Sequence, residues 1–193
     1  MEATTYMAEF DAVMRTHWRG YIQLVGDNYR AGIPMQYNNV DKTFFCPAVC
    51  SMAHGLEEHV HDRAVVCKCV TELQDLVEEM QHWGSEAELV LKPVIWHLFR
   101  VLQAHLGDTG LGLLVLTTLH AILDLNSRGL PVAILSPGRS PAAQLAVTAF
   151  VRSCPSTADL DAKAAVLLRW FEEGSLLLHC QYPTPPRGVL RVY

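Results

Sequence analysis

Apolar residues recur every three or four positions over most of this chain, the spacing that places them on one face of an α-helix. Turn residues and helix-capping residues divide this pattern into separate segments. The pattern predicts seven helices, at residues 4–25, 46–55, 56–83, 85–106, 111–125, 140–153 and 158–173. Residues 27–42 are rich in glycine, proline, asparagine and aspartate, which predicts a loop.

The segment 111–125 differs from the others because it is apolar nearly all round. A helix of this kind is surrounded by other elements in a globular protein. It is also too short to span a bilayer, which needs about 20 apolar residues. We therefore predict an all-α fold, an orthogonal bundle of about seven helices around a central helix at 111–125.

The C-terminal end carries two β-prone pieces, residues 175–182 and 188–193, on either side of the run Pro183-Thr184-Pro185-Pro186-Arg187. Such a pattern is typical of either a short β-hairpin or a tail that lies along the surface. We expect residues 1–182 to form a single helical domain, with 183–193 as a Pro-rich tail or hairpin strand.

Composition narrows the function classes. The chain has 193 residues and a net charge of −5, and no basic stripe is present, which argues against general nucleic-acid binding. Its start is acidic and amphipathic and lacks the basic and apolar regions of a secretory signal. We therefore expect a cytoplasmic or nuclear protein without a transmembrane segment, in which cysteines are free thiols or metal ligands.

Cysteine and histidine are concentrated in one stretch, between residues 44 and 70. Zinc is held by four sulfur or nitrogen ligands arranged as a tetrahedron, commonly as two close pairs. The stretch therefore predicts one structural zinc ion. Its candidate ligands are Cys46, Cys50, His54, His59, His61, Cys67 and Cys69.

Helix packing is the alternative explanation of the same stretch. If residues 56–83 form one helix, Cys67 and Cys69 point about 200° apart and cannot bind the same ion. Cys67 then falls on the apolar stripe as a small core residue, and Cys69 points away from it. Zinc binding thus requires a break in the helix between His61 and Val70.

Enzyme chemistry has one further candidate, the thiol of Cys46. If Pro47 occupies the first position of a helix, Cys46 lies at its cap, where the helix dipole lowers the pKa of a thiol. A histidine among His54, His59 and His61 would then act as base. No oxyanion hole is recognisable in the sequence, so a complete catalytic set is not predicted.

The sequence favours a non-enzymatic interaction or regulatory protein over a zinc-dependent or cysteine-nucleophile enzyme. The partner is expected to be another protein or a second copy of the chain. We predict that a partner binds to aromatic residues of the first helix and to an acidic face of the helix at 56–83. Core packing is the alternative explanation of the aromatic residues. The predicted partner-binding residues are Phe10, Trp18, Glu72, Asp75 and Glu79.

Overall fold

The computed structural model describes residues 2–20, 23, 30–31, 37–79, 87–127 and 140–181. These residues form seven α-helices and no strand, which confirms the predicted all-α fold. The helices are α1 (Ala3–Val13), α2 (Tyr37–Glu58), α3 (Arg63–Glu79), α4 (Ala87–Ala104), α5 (Thr109–Ser127), α6 (Ser140–Ser153) and α7 (Ala158–Gln181). A π-helical turn, Met14–Arg19, continues α1.

The helices are arranged as three stacked hairpins. Within the hairpins α2 contacts α3, α4 contacts α5, and α6 contacts α7. Between hairpins, α2, α4 and α6 form one layer and α3, α5 and α7 form a second. Helix α5 therefore packs between α3 and α7 and against α4, which confirms residues 111–125 as the central helix. None of the described helices combines the length and hydropathy that a membrane span needs.

The core of α5 shows why its sequence is so apolar. Leu111, Val115, Leu119 and Ile122 are buried along its length. Its neighbours approach closely at Gly112, where a Cβ atom would stand 1.8 Å from the Phe150 ring. The missing side chain lets that ring lie directly against the α5 backbone.

Helix α1 and its π-helical continuation close the stack beside the first hairpin. Four buried residues, Tyr6, Phe10, Met14 and Trp18, recur at intervals of four along this segment. In an α-helix that interval advances about 40° per step, so the stripe would drift around the helix. The wider π turn, in which Gly20 N–H donates to Arg15 C=O, opposes that drift. The predicted helix at 4–25 is confirmed for its described part.

The predicted single helix at 56–83 is wrong, because the chain turns between α2 and α3. Asp62 ends the turn and caps α3, its Oδ1 accepting hydrogen bonds from Ala64 N (3.0 Å) and Val65 N (3.2 Å). The turn between α4 and α5 repeats this geometry 46 residues later, with Asp108 Oδ1 accepting from Leu111 N at 3.0 Å. In both turns the aspartate N–H donates to the C=O of the histidine three residues earlier, His59 or His105.

Two other predicted boundaries are also wrong. Helix α2 begins at Tyr37, so residues 37–42 are helical, not loop, and Pro47 lies inside the helix. Packing of α2 against α1 and α4 outweighs the hydrogen bond that proline removes. Helix α7 runs past Gly174 to Gln181, so residues 175–181, which were predicted to be a β-prone piece, are helical. The predicted strand or turn at 130–135 and the tail 183–193 lie outside the described residues.

Candidate functional site around Tyr6

The stretch rich in cysteine and histidine is divided between α2, the following turn and α3. Its members differ in exposure: Cys50, His54 and His61 are exposed, His59 and Cys67 are half-buried, Cys69 is buried, and the side chain of Cys46 lies outside the described part. Within the described residues, no three histidine, cysteine or acidic side chains stand close enough to hold one metal ion. The structural zinc ion therefore stays a prediction.

Tyr6 of α1 is the residue around which part of this stretch gathers. Its hydroxyl donates a hydrogen bond of 2.8 Å to the C=O of Ser51 and lies 3.3 Å from Cys69 Sγ. The Tyr6 ring also contacts His59 and His54, with centroids 5.0 Å and 6.0 Å away. Tyr6 thus links α1 to α2, to the turn and to α3.

Burial keeps the two central groups of this cluster uncharged. It raises the pKa of the Cys69 thiol to about 11, and it raises the pKa of Tyr6 further above its ordinary value, with Cys69 adding to the rise. A thiol with a raised pKa carries little thiolate near neutral pH, and the thiolate is the nucleophile. We therefore assign the Tyr6–Cys69 pair to packing.

Gly55 makes room for Tyr6. The sequence places this glycine at a helix end, but it lies inside α2 and is buried. A Cβ atom here would stand 2.1 Å from Tyr6 Oη and 2.9 Å from Cys69 Sγ. Helix α2 therefore presents a bare backbone where the tyrosine hydroxyl enters.

The predicted roles of Cys67 and Cys69 are reversed. Cys69 is buried against Tyr6, whereas Cys67 is half-buried at the edge of the core. The two residues do lie on one helix, so they cannot share an ion, as the packing alternative expects. The reversal arises because α3 buries a second stripe, Val65, Cys69 and Leu76, in addition to the predicted one.

The Cys46 nucleophile hypothesis loses its physical basis. Helix α2 begins at Tyr37, nine residues before Cys46, so Cys46 is not at a helix start. The dipole effect on a thiol falls off within the first turn of a helix.

The aromatic residues predicted to bind a partner lie in the core. Phe10 is 0% exposed and Trp18 is 2% exposed, as the core-packing alternative expects. Glu72 is also buried and forms an ion pair with Arg19, so it does not belong to an acidic outer face. Asp75 is exposed, and the side chain of Glu79 lies outside the described part.

Charged groups fasten α1 and its π-helical turn to α3 beside the aromatic stripe. Lys68 pairs with Asp11, and its ammonium lies 5.9 Å from the centroid of the Phe10 ring. The Lys68 ammonium holds the pKa of the Asp11 carboxyl below its ordinary value, chiefly through their hydrogen bond. The Arg19–Glu72 pair acts one helical turn further along α3. Helix α1 is therefore held by both apolar and ionic contacts.

The turn between α2 and α3 bonds to the turn between α4 and α5, which bonds in its turn to the C-terminal end of α6. His105 Nε2 lies 2.7 Å from the C=O of Val60, and Arg63 Nε donates to Asp108 Oδ2 at 2.6 Å. Gly107, whose φ of +85° suits glycine, donates its N–H to Ser153 Oγ at 2.9 Å. The Asp62 cap was missed in the sequence, although an aspartate before an apolar run is a helix-start signal.

The last hairpin carries exposed apolar side chains. Leu145 of α6 is 65% exposed and Val166 of α7 is 42% exposed. Leu106, in the turn before α5, is also exposed, at 53%.

No protein-family model, curated protein or solved structure matches the chain.

Proposed function

We propose that this chain is a non-enzymatic protein-interaction module that binds a protein partner through the outer face of its last hairpin. We define this outer face by Leu145 and Val166 and by their exposed small neighbours Ala142, Ala162 and Ala165. Helical hairpins stacked in series bury the apolar face of each hairpin against the next. An end hairpin therefore needs a covering element or a polar surface.

The two ends of the stack differ in this respect, and that difference is the observation that carries the proposal. At the first hairpin, α1 and its π-helical turn cover α2, and Tyr6 reaches Cys69 of α3. At the last hairpin, no described helix besides α4 and α5 adds a substantial contact to α6 and α7. The outer face there is apolar where a capping surface would be polar.

The exposed residues of the last hairpin are level with each other. Helices α6 and α7 are joined by the short link 154–157, so they run antiparallel. The distance along the chain from Leu145 to the end of α6 at Ser153 equals the distance from the start of α7 at Ala158 to Val166. Arg152 and Arg169 are exposed further along the same helices. An apolar centre with charged residues around it is the arrangement of many protein interfaces.

The compartment expected from the sequence is consistent with this proposal. Cys50, Cys67, Cys69 and Cys154 are free thiols. Reduced cysteines are typical of cytoplasmic and nuclear proteins. We propose the cytoplasm or the nucleus as the compartment of this interaction.

Aspartate substitutions on the outer face test the proposal. Leu145→Asp and Val166→Asp alter exposed side chains, and Leu106→Asp is a matched control because it places the same charge on another surface. Each protein is expressed as bait, and recovered proteins are quantified by mass spectrometry after circular dichroism verifies folding. We expect a partner that wild type and Leu106→Asp retain and that both outer-face variants lose at least tenfold. Equal recovery by all four baits would refute the proposed surface.

A further inference from the structure

We draw no further inference here: the strongest candidate, the exposed acidic surface at the C-terminal ends of the neighbouring helices α3 and α5, on which Asp75, Glu78 and Asp124 lie, carries none because nothing in the described part of the chain shows what binds to it.

Discussion

Replacing Gly55 by alanine tests whether the entry of Tyr6 between α2 and α3 organises this end of the fold. The added Cβ would stand 2.1 Å from Tyr6 Oη and 2.5 Å from Tyr6 Cζ. Both distances are far below van der Waals contact, so the ring has to move. Its hydroxyl then loses the hydrogen bond to the C=O of Ser51 and its contact with Cys69 Sγ.

The opposing contributions differ enough to decide the sign. Alanine favours a helix over glycine by about 1 kcal/mol. Against this gain, an overpacked core costs about 1–3 kcal/mol, and a buried donor left unsatisfied costs about 1–3 kcal/mol. We expect Gly55→Ala to lower the free energy of unfolding by about 1–5 kcal/mol. In a chain of this size each kcal/mol lowers Tm by about 2–4 °C.

Gly110→Ala is the matched control, because the nearest atoms to its added Cβ lie 3.7 Å and 3.8 Å away, in ordinary contact. It should be neutral or stabilising by up to about 1 kcal/mol. Urea unfolding followed by far-UV circular dichroism measures both variants. Tyr6→Phe removes the nearest clashing atom, so Gly55→Ala should cost less in that background. A Gly55→Ala protein as stable as wild type would refute the reasoning.

Four further substitutions can be measured by the same unfolding assay. Gly112→Ala should destabilise by about 1–3 kcal/mol, because its Cβ would meet the Phe150 ring at 1.8 Å; an increase in stability would contradict the close approach. Cys69→Ser should cost about 1–2 kcal/mol and half-buried Cys67→Ser less than about 0.5, so equal losses would count against the observed burial. The Arg63 guanidinium holds the pKa of the Asp108 carboxyl below its ordinary value. The ionised carboxylate therefore stabilises the fold above the unfolded pKa of about 3.9, and this contribution is lost as pH falls through the lower folded pKa. Asp108→Asn should therefore reduce the acid dependence of stability below about pH 4, and an unchanged dependence would exclude this contribution.

Helices whose ends carry local signals could be predicted from the sequence. Gly107 and Asp108 predict the boundary before α5, and the structure has a positive φ and a capping carboxylate there. Ser140 and Pro141 likewise predict the start of α6. In each case the physical cause lies within a few residues of the boundary, so the sequence contains it.

The burial of α3 could not be predicted in the same way, because its cause lies far away in the chain. Val70, Leu73 and Val77 continue the apolar stripe of Cys67 at helical spacing, and these three are buried, whereas Cys67 is half-buried. Within the second stripe, Cys69 is buried against Tyr6 of α1, which reaches it across 63 positions of sequence. Periodicity identifies a face that is apolar, but it does not reveal that a second face acquires a partner.

The same distinction explains what became of the residues that suggested zinc. Sequence proximity placed seven ligands together, but the turn capped by Asp62 assigns them to separate helices with different exposure. Cys69 lies 3.3 Å from the Tyr6 hydroxyl, and burial raises the pKa of its thiol. Cys50 and His54 are exposed on α2, and two residues are half of the four ligands that a tetrahedral zinc ion needs.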